Sequence, residues 1–162
     1  MTLRPATAAD IGFIRSLTTH PDNTPYMGDD DVASLTAYLT DPSARLLIWG
    51  SGAPQGFALF REIGNPSGRV ELFRLALAQV SGGGGAGFVA ALTDYAFATL
   101  GAARLWLDAS GENARAIRVY ERAGFVVEGR LRAHWYRPAL GRSVDMVLFA
   151  MLRCEWRALR GG

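Results

Sequence analysis

The chain has 162 residues, 49% of them hydrophobic and 20% charged, with a formal net charge of +2. That length predicts a single domain over residues 1–162 with enough apolar material for a real core, and the composition is that of an ordinary globule rather than a disordered or fibrous chain. So small a charge makes no case for nucleic acid, no apolar run reaches the ~20 residues of a membrane span, and the lone cysteine, Cys154, excludes an intrachain disulfide; a cytoplasmic protein binding neither nucleic acid nor membrane is expected.

A helix should begin at Thr7, with Asp10 reaching back to cap it and Ile11, Ile14 and Leu17 turned inward. A polar stretch with Pro21, Pro25 and Gly28 follows over residues 20–31 and ends in Asp29, Asp30 and Asp31. A second helix carries Val32, Leu35 and Leu39 on one face and stops at Asp41-Pro42. The period then changes. Residues 45–49, 56–63 and 69–80 read as strands joined by short turns at 50–55 and 64–68, which implies an antiparallel meander.

A glycine run, Gly82-Gly83-Gly84-Gly85-Ala86-Gly87, leads into a helix over 88–100 with Phe88, Leu92, Tyr95 and Ala96 on one face. Residues 104–108 form the next strand, parallel to the one before the glycines, because a strand–helix–strand crossover of this length demands it. Asn113 caps a helix that runs through Arg122, and Gly124 fits its C-terminal cap. Residues 125–130 and 145–153 are the last strands; the latter is apolar on both faces, as a central strand would be. The sum is an α/β (α+β) domain with a mixed sheet.

A strand, a glycine loop and a helix N-terminus together favour a bound phosphate, because bare backbone N–H groups and the helix dipole point the same way. A nucleoside triphosphate loop would end in Gly-Lys-Ser/Thr, whereas Gly87 is followed by Phe88. The dinucleotide pattern G-x-G-x-x-G is met by Gly82, Gly84 and Gly87, with Asp108 as a plausible acidic residue further on. An antiparallel meander before the loop is wrong for that fold, however, and too little chain follows Asp108 to complete it.

Residues 113–125 decide between the alternatives. They read Asn113-Ala114-Arg115-Ala116-Ile117-Arg118-Val119-Tyr120-Glu121-Arg122-Ala123-Gly124-Phe125, and Glu128-Gly129-Arg130-Leu131-Arg132 lies just beyond. This resembles the N-x-x-A-x-x-x-Y-x-x-x-G-F segment of the GNAT superfamily of acyl-CoA-dependent N-acetyltransferases, in particular its ribosomal-protein and polyamine acetyltransferase branches. The resemblance implies the GNAT fold: a mixed, mostly antiparallel seven-stranded sheet, about four flanking helices, and a parallel fourth and fifth strand (here 69–80 and 104–108) splayed for CoA.

It also implies a site. The loop at Gly82, Gly83, Gly84, Gly85, Ala86 and Gly87 would hold the CoA pyrophosphate, although Gly82 stands where the family carries a long polar side chain. Leu75, Ala76 and Leu77 would flank the pantetheine arm, with Ala78 near its exit, and Asn113 would contact the arm or cap its helix. Arg115 or Arg122 could supply charge to the phosphates. Tyr120 would be the general acid beside the sulfur, and Glu71 is the candidate catalytic carboxylate, with a salt bridge as its competing role. His20 and His134 are further titratable candidates. Acetyl-CoA is the expected cosubstrate, with no metal.

The implied function is transfer of acetyl from acetyl-CoA to a primary amine by direct attack in a ternary complex. The acceptor would be a polyamine, a protein N-terminus, an antibiotic or another small amine. It should meet residues 20–31 and 133–142, where Trp135 and Tyr136 could wall a pocket. The aspartates at 29–31 either attract a cationic amine or cap the following helix. A homodimer is possible, and a non-catalytic acyl-CoA-binding module on the same fold is the alternative reading.

Overall fold

The computed structural model describes residues 1–79 and 84–161. Seven strands make one sheet: β1 (Thr2–Pro5), β2 (Arg45–Ser51), β3 (Ala53–Arg61), β4 (Arg69–Leu77), β5 (Arg104–Ser110), β6 (Val126–Arg137) and β7 (Arg142–Leu152). Their spatial order is β1-β2-β3-β4-β5-β7-β6. β4 and β5 run parallel, and the other neighbours are antiparallel. This is the mixed seven-stranded sheet that the sequence predicts. β7 is internal, which explains its two apolar faces.

Helices cover both faces. α1 (Ile11–Thr18) and α2 (Val32–Tyr38) lie on one side. Ile11, Ile14, Leu17 and Leu35 pack there against Leu46, Ile48, Phe57 and Leu59. α3 (Gly84–Asp94) and α4 (Ala114–Arg122) cover the other, where Phe88, Leu92, Phe97 and Tyr120 meet Leu47, Phe60, Leu105 and Phe149. Each such fully buried apolar side chain contributes about 1.5–3 kcal/mol by leaving water. The capping pair at Thr7 and Asp10 is present, and Arg4 reinforces it with two hydrogen bonds to the Asp10 carboxylate, of 2.9 and 2.7 Å.

The structure departs from the sequence reading in four respects. α3 starts at Gly84, inside the glycine run, and so its first turn holds residues expected to be loop. It then widens over Tyr95–Thr99, where the Leu100 N–H donates five residues back to the Tyr95 carbonyl. β6 and β7 are longer than expected, and a fifth helix, α5 (Arg153–Leu159), follows directly on β7. α5 folds back over the end of α4. Gly124 there has φ +91°, and a Cβ on it would lie 2.6 Å from Leu159 Cδ1. The left-handed turn is what favours glycine here, since the Leu159 side-chain end could move aside.

Candidate active site

β4 and β5 are hydrogen-bonded only where Arg69, Val70 and Glu71 face Arg104, Leu105 and Trp106. Beyond Glu71 they part. β3 stays with β4 as far as Leu77, and β7 stays with β5 as far as Ser110. The β5-facing edge of residues 72–77 therefore carries backbone donors and acceptors with no strand partner. A cavity of about 820 Å³ lies between the strands, lined by all six residues from Leu72 to Leu77 on one side and by Asp108, Ala109 and Ser110 on the other.

At one end the cavity reaches the start of α3, where Gly85 and Ala86 line it. Gly84 and Gly87 share this turn, and a Cβ on either would meet nothing within 4 Å. Among the described residues, packing therefore does not demand glycine at these two positions. Gly82 and Gly83 lie outside the described residues. Arg115 and Arg122 of α4 line the cavity, and so do Trp156, Leu159 and Arg160 of α5. Trp156 and Arg160 are steadied by Asp94, whose Oδ1 accepts from both at 2.8 and 2.6 Å.

Asn113 and Tyr120 lie in the middle of the lining. Asn113 Oδ1 accepts from the Ala116 N–H at 3.1 Å and so caps α4 while facing the cavity. Tyr120 is 6% exposed, its ring set edge-on to Phe125 and Phe149. Its hydroxyl forms no hydrogen bond among the described residues. Burial first, and the charge of Asp108 second, push its pKa well above the ordinary phenol value. The hydroxyl is therefore a protonated donor at neutral pH.

Leu75, Ala76 and Leu77 are in the lining, but Glu71 is not. The Glu71 carboxylate is buried and taken by Arg61, whose Nε donates to Oε2 at 2.9 Å. Burial raises the Glu71 pKa despite that partner.

The far end is built by Asn23, Tyr26 and Met27 from the α1–α2 segment, Phe73 and Arg74 from β4, and His134 and Trp135 from β6. Asp108 faces it from β5. Although Asp108 is open to the cleft, desolvation by the surrounding walls raises its pKa, and Arg74 and His134 oppose the rise. Arg137 fixes this end. It is 4% exposed, stacks on Trp135, and donates to the Thr24, Pro25 and Met27 carbonyls. One side chain thus ties the α1–α2 segment to β6.

The aspartate run is taken up by the chain itself. Asp31 accepts from the Ser34 N–H at 2.7 Å and caps α2. Asp29 holds Thr18 and Arg15, and Asp30 lies 3.5 Å from Arg74 Nε. Among the functional candidates, Arg74 and Trp156 carry no motif and were not expected, and Arg160 stood out only as one of the arginines that gather late in the chain. Asp108 was noticed only as part of the dinucleotide pattern.

The family model described as Acetyltransferase (GNAT) domain matches residues 1–126. No curated protein matches the sequence. Among solved structures, the spermidine N-acetyltransferase of Vibrio cholerae in complex with CoA and spermine superposes with a TM-score of 0.85 at 22% identity, covering 96% of this chain and 97% of that one. A chimera of the Vibrio cholerae enzyme, SpeG, with hSSAT gives 0.84 at 23%, covering 98% and 99%. Identities this low speak to the fold.

Proposed function

The chain belongs to the acetyltransferase (GNAT) domain family, and on that premise we propose that it acetylates a small-molecule or peptide amine directly from acetyl-CoA in the cavity between β4 and β5. The observation that carries this reading is the parting of the two strands after Glu71, with residues 72–77 lining the gap continuously. A long, amide-bearing arm fits such an edge, because it can pair with backbone groups that no strand satisfies.

The rest of the lining suits the cosubstrate as well. The N-terminal turn of α3, with Gly85 and Ala86, and the guanidinium groups of Arg115 and Arg122 would take phosphates. Leu75, Ala76 and Leu77 would flank the arm, and Asn113 would bound it opposite. Acetyl-CoA supplies the acyl group as an activated thioester. The amine nitrogen bonds to its carbonyl carbon, the C–S bond breaks, the ammonium gives up two protons in all, and the sulfur gains one.

In this reading Tyr120 gives the sulfur its proton. Its raised pKa keeps that proton available, and the departing thiolate shares the same desolvated setting, which raises its own proton affinity. Asp108 holds the incoming ammonium and accepts the proton it must lose to become nucleophilic. A carboxylate with a raised pKa is better suited to that task than an ordinary one. Glu71, paired with Arg61 away from the lining, is left to a structural role.

The test is release of free thiol from acetyl-CoA with a panel of amines, read beside CoA binding. Amine-dependent release supports the enzyme. Tight binding of CoA with no release for any amine would make the chain a binding module instead.

A further inference from the structure

The acceptor end offers little to a polycation. Asp29 is held by Arg15 and Thr18, Glu71 by Arg61, and Asp30 lies beside Arg74. Asp108 is the one carboxylate lining the cavity among the described residues. A second ammonium group placed beyond it would meet Arg74 rather than another acid, and like charges in a desolvated cleft repel.

Arg74 itself is under-used. Its guanidinium stacks on Phe73 at 3.9 Å and lies against Gly28, where an added Cβ would come within 2.9 Å of Nη2. A guanidinium has five N–H donors. Here Nε is buried without a hydrogen bond, and Nη1 makes a single long contact of 3.4 Å to the Phe73 carbonyl. Asp30 is its sole ion-pair partner among the described residues, at 3.5 Å. A second guanidinium, Arg61, stacks on the same Phe73 ring at 3.6 Å, so positive charge is concentrated here. Arg74 and Asp108 line the same cavity without forming an ion pair, and Met27, Phe73 and Trp135 provide apolar walls around them.

We infer that the acceptor is a zwitterion of the kind an apolar α-amino acid presents, its ammonium group directed to Asp108 and its carboxylate to Arg74. This rests on the acetyltransferase reading above and narrows it. A carboxylate supplies a hydrogen-bond acceptor for the guanidinium donors that Asp30, at 3.5 Å, leaves unbonded, in the charge-assisted geometry that arginine favours. An apolar side chain would sit against the Met27, Phe73 and Trp135 wall.

The experiment compares thiol release from acetyl-CoA with leucine, leucinamide and spermidine. Leucinamide lacks only the negative charge. It is also the less basic amine, so a preference for leucine cannot arise from a larger neutral fraction. The expected result is a kcat/KM for leucine at least about tenfold above those for leucinamide and spermidine. Arg74→Gln should abolish the preference over leucinamide, and Arg74→Lys should restore part of it. Spermidine turned over faster than leucine would overturn the inference while leaving the acetyltransferase intact. So would equal losses for leucine and leucinamide in Arg74→Gln, which is the signature of a merely structural arginine. No release with any amine would overturn the acetyltransferase reading and the inference with it.

Discussion

Tyr120 on α4 and Asp108 on β5 line one cavity, and the charge of Asp108 adds to burial in holding the Tyr120 hydroxyl protonated. In the mechanism we propose, the two groups divide the proton traffic of the acyl transfer. One is kept as a donor, and the other is a carboxylate whose raised pKa makes it a better acceptor.

Replacing Tyr120 with Phe should lower kcat by about a hundredfold or more. The hydroxyl has no partner within the described chain, so its loss leaves no orphaned donor or acceptor. CoA affinity and Tm should stay near wild type. Steady-state kinetics beside thermal melting checks this; unchanged kcat would remove Tyr120 from the mechanism.

For Asp108 the informative quantity is the pH profile. The carboxylate must be ionised to hold the ammonium and take its proton. Its pKa lies above the usual carboxylate value, so kcat/KM should rise with pH along an acidic limb displaced upward from that value. In Asp108→Asn the limb should vanish and the remaining rate should be low throughout. A limb that persists in the variant would belong to another group.

Arg137→Lys tests how the acceptor end is assembled. Lysine keeps the charge but cannot reach the Thr24, Pro25 and Met27 carbonyls in one planar fork. The acceptor KM should rise severalfold with the CoA Kd unchanged, and stability should fall by about 1 kcal/mol as part-buried carbonyls lose their donor. A matching loss of CoA affinity would show a wider disruption than this contact predicts.

Asp10 governs acid stability at the N-terminus. Its hydrogen bonds from Arg4 and Thr7 lower its pKa from the ordinary carboxylate value to about 2. A depressed folded-state value means that the group stabilises the fold above its unfolded pKa and loses that contribution as pH falls toward 2. Allowing for screening at the half-exposed Arg4, Asp10→Asn should cost about 1–2 kcal/mol at neutral pH. The difference from wild type should shrink in melts taken between about pH 4 and pH 2. A constant difference across that window would mean that the carboxylate charge is not what matters.

Much of the architecture is written in periodicity and caps. The short strand-like segments at 45–49 and 56–63, Asn113 as a cap and Gly124 as a stop all correspond to observed elements. What stayed hidden depends on contacts distant in sequence or on broken alternation. β4 has two residues, Phe73 and Arg74, where β3 advances by one. As a result Phe73 packs toward α1 and α2 while Leu75, two residues on, packs toward α3. Strict alternation would have put both on one face, and Arg74 then carries no signal as a cavity residue. Arg137 reaches the α1–α2 segment across more than a hundred residues, which no local pattern encodes. The start of α3 at Gly84 runs against the low helix propensity of glycine. α5 was obscured because it follows the apolar β7 with no intervening turn residue.

The central claim is that the free edge of β4 beyond Glu71 receives acetyl-CoA. Amide hydrogen exchange across residues 72–77, with and without acetyl-CoA, tests it directly. Exchange should slow at the amides of this segment that β3 does not already protect, and also at the first turn of α3. Exchange unchanged at 72–77 under saturating acetyl-CoA would contradict it.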